Sequence, residues 1–102
     1  MKSYDVLLHT PIGKRKGDMK VKIENGKLIG FLSLFGNTEP IEGSVEDNGD
    51  CVLRGRFITL LKPVDFTAVG TIRQDDLHFI LKGAYGTYKL MGSSQSGKEG
   101  SN

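Results

Sequence analysis

Val21-Lys22-Ile23-Glu24-Asn25-Gly26-Lys27-Leu28-Ile29-Gly30 is the stretch that decides the fold. Apolar and charged residues alternate with a period of two on both sides of Asn25-Gly26, a pair whose tolerance of positive φ suits the two-residue turn that matches strand twist. The segment reads as strand, tight turn, strand, glycine. The same plan returns in Val45 to Gly55, around Asn48-Gly49, and in Ile72 to Gly83, around the weaker turn Gln74-Asp75-Asp76. The spacing of about 25 residues is that of one hairpin, so the repeat unit is a hairpin in a continuous meander. Looser breaks fall at Thr10-Pro11-Ile12-Gly13 running on to Gly17, at Gly36-Asn37-Thr38, at Leu60-Leu61-Lys62-Pro63 and at Gly86-Thr87. Eight strands result, over 2–9, 18–24, 27–35, 39–46, 50–59, 64–73, 77–84 and 87–93, and no segment has helical periodicity.

Alternation then assigns an inner face: Tyr4, Val6, Leu8; Val21, Ile23; Leu28, Leu32, Leu34; Ile41, Val45; Cys51, Leu53, Phe57; Phe66, Ala68, Ile72; Leu77, Phe79, Leu81; Tyr88, Leu90. The positions between them are mostly charged or polar, among them Lys20, Lys22, Glu42, Arg54, Arg56, Thr67 and Lys82. One buried and one wet face per strand is the pattern of an antiparallel sheet closed on itself, and closure removes the exposed edges. The predicted fold class is all-β: a single antiparallel up-and-down meander barrel of about eight short strands without significant helix, over residues 1–93. The tail 94–102 has no apolar residue and is expected to be disordered.

Composition narrows the function classes. A chain of 102 residues is one domain, and 14 Lys/Arg against 12 Asp/Glu leave only +2, too balanced to announce nucleic acid. The single cysteine rules out an internal disulfide and a cysteine-based zinc cluster. No apolar run approaches the roughly 20 residues of a membrane helix, so no membrane insertion is expected. Met1-Lys2-Ser3-Tyr4-Asp5 lacks a secretory apolar core, which makes the cytoplasm the expected location.

The 14 glycines sort by position. Gly26 and Gly49 sit in tight turns, Gly13, Gly17, Gly36 and Gly86 in looser connections, and Gly97 and Gly100 in the tail. Gly30, Gly43, Gly55, Gly70, Gly83 and Gly92 lie inside strands with inward parity. Reflecting each strand onto the next about its turn places Gly30 opposite Gly43, Gly43 near Gly55, and Gly70 beyond, a row of absent side chains across the inner wall. Large residues from the opposite wall fill such a row, or a small apolar ligand does. The ligand reading draws on Tyr4, Phe57, Phe66, Phe79, Tyr85 and Tyr88 around Gly30, Gly43, Gly55 and Gly70.

Catalytic groupings are absent from the pattern. His9 and His78 take outward parity as solvated histidines without a carboxylate or cysteine at ligand or triad spacing, and Cys51 reads as a small buried hydrophobe. Asp47, Asp50, Asp75 and Asp76 fall at turns, where aspartate serves the backbone. No enzyme, metal or cofactor is expected. Connections of a meander alternate between two ends. One end is acidic and carries the tight turns; the other carries longer loops with Ile12, Phe35, Leu60, Leu61 and Tyr85 beside Lys14, Arg15, Lys16 and Lys62. Apolar tips ringed by positive charge suggest a mouth for an anionic amphiphile, with Lys14, Arg15 and Lys16 as anion contacts, or a site for a protein partner. Outward Ile29 and Phe31, with Phe35, Leu60 and Leu61, form a candidate interface for a homodimer or another protein. Single-stranded nucleic acid is the weakest partner, since only Phe31 is an outward strand aromatic.

The hairpin order, the inward glycines and the aromatic interior resemble the lipocalin-like, calycin-type meander barrels over residues 2–93. The resemblance is architectural: the chain has no Trp, and no family ligand residue is carried over. It implies a barrel interior that can host a guest. The leading expectation is a non-enzymatic binding barrel that takes a small apolar or amphiphilic ligand in or at its mouth, or a protein partner. The alternative is an oligomerisation or accessory module of a larger enzyme system, with a filled core and no ligand.

Overall fold

The structure, a computed structural model, describes residues 1–59 and 61–95. Its elements are β1 (Lys2–Thr10), β2 (Gly13–Glu24), β3 (Lys27–Leu34), β4 (Asn37–Val45), β5 (Asp50–Ile58), β6 (Pro63–Ile72), β7 (Asp76–Gly83) and β8 (Gly86–Ser94). Each strand pairs antiparallel with the next, and β8 returns to β1 through Val6↔Gly92 and Leu8↔Leu90, which closes the barrel. Closure leaves no strand edge unpaired, which is how a sheet of this length escapes edge-to-edge association.

The expected inner face is the core. Tyr4, Leu8, Leu28, Leu53, Phe79 and Leu81 are buried almost completely, and Val45 and Tyr88 pack half-buried against them. Ile23 is the exception: it sits on the last rung before the Asn25-Gly26 turn and is exposed there. Met19 and Val64 join the core as well, because they share the inward parity of Val21 and Phe66.

Most boundaries shift by a residue or two, and three of the shifts change which residues belong to a strand or turn that matters here. β2 begins at Gly13 rather than 18, so Lys14, Arg15 and Lys16 are strand residues paired with His9, Leu8 and Leu7. Phe35 leaves β3 to form the β3–β4 turn with Gly36, at φ of 55° and 77°. β8 runs through Ser94, which is buried, while 96–102 of the expected tail lie outside the described residues.

The Phe35-Gly36 turn also corrects the glycine register. Centring the hairpin one residue earlier slips the pairing by two, so Gly30 faces Ile41 rather than Gly43. Gly43 faces Leu53, Gly55 faces Phe66 and Gly70 faces Phe79. Small stands opposite large, and the row of absent side chains does not exist. Gly17, assigned to a loop by its surroundings, is a further inward strand glycine opposite Val6.

Candidate functional site

At one end of the barrel the chain passes through Pro11-Ile12, Phe35-Gly36, residues 59–62 and Ala84-Tyr85. Three of these connections have two residues, so this end is no longer-looped than the other; its character comes from composition. Thr10 shapes the first connection by donating from Oγ1 to the Gly13 carbonyl at 2.6 Å and accepting from the Ile12 N–H at 3.3 Å. Thr59 does the same for the third: Oγ1 donates to the Lys62 carbonyl at 2.9 Å and accepts from the Leu61 and Lys62 N–H groups, both at 3.2 Å. Both hydroxyls are therefore committed to their own turns.

Phe35 occupies left-handed backbone space, which a bulky residue enters at a cost of about 1–2 kcal/mol. What holds it there is aromatic packing. Its ring stacks on Phe57 with centroids 5.8 Å apart and planes at 25°, and Tyr88 meets Phe57 edge-on at 5.5 Å and 89°. Phe66 continues the contact into the core, tilted 33° at 6.0 Å from Phe57. Above these rings opens a cavity of about 440 Å³, lined chiefly by Ile12, Arg15, Phe35, Phe57, Leu61 and Tyr88. That volume falls within the range of about 300–1,000 Å³ of small-molecule sites.

Arg15 is the one charged side chain of this lining. It shares inward parity with Gly17 and Met19, whereas Lys14 and Lys16 take the outward positions, so the basic run separates into one mouth residue and two wall residues. Its guanidinium donates from Nη1 to the Lys14 carbonyl at 3.0 Å and pairs with no carboxylate among the described residues. Parity counted backwards from Val21 and Met19 would have singled it out, had β2 been traced to its true start. Thr10, Pro11 and Thr59 also line the cavity, and nothing in their residue types announced it.

The other candidate residues sit elsewhere. Tyr4, Phe66 and Phe79 belong to the filled core. Tyr85 is exposed on its turn with the Lys62 ammonium 3.9 Å above its ring. Gly30, Gly43, Gly55 and Gly70 leave no room where a side chain would go, although Gly30, Gly55 and Gly70 border shallow outer grooves: a Cβ on Gly30 would meet the Lys20 carbonyl oxygen, on Gly43 the Val52 carbonyl, on Gly70 the His78 carbonyl, and on Gly55 the Ile41 Cγ2 at 2.7 Å. These glycines let neighbouring backbone approach as the sheet coils, the use that small closed barrels make of glycine kinks. Ile29 and Phe31 are exposed on the outer wall beside a shallow groove at Pro40, and Leu60 lies outside the described residues. Phe35, grouped with them by sequence, turns into the mouth instead.

The opposite end is shut. Tyr4 donates its hydroxyl to the Arg73 carbonyl at 2.7 Å, and burial, then the nearby charges of Asp75 and Asp76, raise its pKa. His78 is exposed as expected, with Asp76 at 3.8 Å, but His9 is not a solvated histidine: its Nε2 is closed off from solvent and lacks a hydrogen-bond partner. It lies in register between Lys14 and Lys89.

Cys51 is buried in the core, and desolvation pushes its thiol from its ordinary value of 9.0 up to about 11. A pKa raised by folding stabilises the fold fully below the unfolded value and is lost as pH climbs through the folded one. Stability is therefore expected to hold to about pH 9 and then fall by about 2–3 kcal/mol towards pH 11, with Tyr4 adding in the same direction. Urea denaturation across that window checks it: Cys51→Ala should flatten the decline, and an unchanged slope would remove the thiol as its cause.

No family model matches the chain, and no curated protein resembles it in sequence. Among solved structures it is similar to a redesigned β barrel, mFAP1, bound to DFHBI, with a TM-score of 0.63, 12% identity and 91% of each chain covered. A fluorescence-activating β barrel designed de novo gives 0.64 at 11% identity over 91% of each chain. The redesigned barrel mFAP0, bound to DFHBI, gives 0.61 at 13% identity, covering 91% of this chain and 94% of that one. At these identities the likeness is one of fold, and the chain shares with those barrels a closed, eight-stranded, antiparallel meander.

Proposed function

We propose that the barrel is a non-enzymatic binding protein whose mouth takes one small amphiphilic anion, with the apolar body on Phe35, Phe57 and Tyr88 and the acid head on Arg15. The observation that carries this is the roughly 440 Å³ cavity in which a single guanidinium without a carboxylate partner stands among aromatic and aliphatic walls. A guanidinium set beside apolar walls favours a planar carboxylate, which it can hold through two parallel hydrogen bonds. With Thr10 and Thr59 spent on their turns, Arg15 and the Tyr88 hydroxyl are the polar groups left to orient a guest. The lining offers no carboxylate, imidazole or thiol, which favours binding over acid–base or nucleophilic catalysis. Two of the barrels of similar fold, mFAP1 and mFAP0, hold a small molecule, DFHBI, which supports the reading of such a scaffold as a container.

Calorimetry with decanoate, decanol and decyltrimethylammonium separates the contributions of head and chain. Decanoate should bind about tenfold more tightly than decanol, and Arg15→Gln should erase that difference while leaving decanol unchanged. Equal binding of decanoate and decanol would remove Arg15 from the site, and no binding of any of the three would overturn the container itself.

A further inference from the structure

The mouth is also the rim of the molecule, and its charge is one-sided. Within four residues of the connections at this end stand Lys14, Arg15, Lys16, Arg56, Lys62, Lys82 and Lys89 against two carboxylates, Glu39 and Asp65. Both carboxylates face the same Arg56, at 3.9 and 3.3 Å, so they neutralise none of the other six cations. The opposite end has the reverse balance: Glu24, Glu42, Glu46, Asp47, Asp50, Asp75 and Asp76 against Lys22, Lys27 and Arg73. A chain of formal charge +2 is thus a barrel with a basic end and an acidic end.

The basic end also carries apolar side chains on its tips. Ile12 is 84% exposed, Leu61 90% and Tyr85 60%, from three separate connections. Isolated exposed aliphatics are ordinary, but three apolar tips on one rim, surrounded by cations of which only Arg56 has a carboxylate partner among the described residues, form a surface with one axis of approach. An amphipathic surface of this type lies in a bilayer interface, its apolar groups entering the headgroup–acyl boundary while each Lys or Arg gains about 1 kcal/mol from an anionic leaflet.

We propose that this rim docks on anionic lipid bilayers, with Ile12, Leu61 and Tyr85 inserted at the interface and Lys14, Lys16, Lys62, Lys82 and Lys89 facing the phosphates. The acidic end points away, which fixes the orientation by repulsion. Spanning is a different matter, because the outer wall carries Lys20, Glu42 and Arg54 in mid-strand and the interior is apolar, the reverse of a membrane barrel. Docking would bring the roughly 440 Å³ cavity directly over the lipid; Ile12 and Leu61 belong to both, but the charge asymmetry that carries docking does not depend on a guest in the cavity, so the vesicle and calorimetric tests can fail separately.

Sedimentation with phosphatidylcholine vesicles, with and without about one-third phosphatidylglycerol, at about 0.1 M salt tests it. The protein should partition at least about tenfold more strongly to the anionic vesicles, and each of Lys14→Gln and Lys62→Gln should lower this about fivefold. Ile12→Ser with Leu61→Ser should lower it further, whereas Val69→Ser, an exposed aliphatic on the outer wall, should not. Equal partitioning to both vesicles, indifference to the tip variants, or an equal loss in Val69→Ser would each overturn the proposal. So would salt-sensitive binding to single-stranded DNA without any to vesicles. All five substituted side chains are exposed, so circular dichroism should report an unchanged fold throughout.

Discussion

Gly43→Ala is expected to unfold the barrel or to cost more than about 4 kcal/mol, the range reserved for substitutions that force backbone apart. Its Cβ would fall on the Val52 carbonyl oxygen, with the Val52 carbonyl carbon and the Leu53 Cδ2 both at 2.9 Å. Neither carbonyl atom can rotate away, because both belong to the β4–β5 ladder in which Gly43 faces Leu53. The same reasoning applies to Gly70, where the His78 carbonyl and the Phe79 Cα at 2.7 Å stand in the way. Gly36→Ala is the control. Nothing lies within 4 Å of its would-be Cβ, and only its φ of +77° opposes a side chain, so about 1 kcal/mol is expected. Chemical denaturation of the three variants measures the contrast. A Gly43→Ala protein within about 1 kcal/mol of the parent would show that the wall has room where it is drawn closed.

Phe35→Asn should separate binding from stability. Asparagine tolerates the left-handed conformation that Phe35 adopts at φ 55°, and Asn-Gly is the preferred pair for a two-residue hairpin turn. Relief of that backbone strain offsets the loss of the Phe35–Phe57 stack, each being about 1 kcal/mol, so the melting temperature should barely move. Affinity for decanoate should fall about 30-fold, because one wall of the cavity is gone, and decanol should lose as much since the lost contact is apolar. That parallel loss distinguishes Phe35 from Arg15, whose removal acts on the carboxylate alone. If Phe35→Asn raised stability and left binding intact, the strained turn would have no part in the site.

A bulky residue held at positive φ is a useful marker, since backbone strain of this type persists where the surroundings over-determine it. Here the surroundings are three aromatic rings at the open end of an otherwise filled barrel. The closed end has no equivalent, because the Tyr4 hydroxyl is tied to the Arg73 carbonyl and the turns are acidic. A ligand of negative charge therefore meets attraction at one end and a shut, repelling surface at the other.

The strands, the meander order and nearly all of the core were determined by the sequence alone. Alternation at a period of two is a local property, and Asn25-Gly26 and Asn48-Gly49 mark turns through their own backbone preferences. The polarity of the two ends was likewise legible, since an antiparallel meander must send alternate connections to opposite ends. Register was not, because it depends on where each turn is centred. Phe35-Gly36 formed a turn that the residue type of Phe35 argues against, and the one-residue displacement slipped the glycines of neighbouring strands past one another by two. The inward placement of Arg15 escaped for a related reason: it stood as one of three basic anion contacts until β2 extended back to Gly13 and turned it inward, with Lys14 and Lys16 outward. Only the closed barrel decided that the inner wall has no room for side chains at the strand glycines, and that an aromatic-lined cavity lies at the mouth. Those are distances between chain segments far apart in sequence, and local patterning carries no information about them.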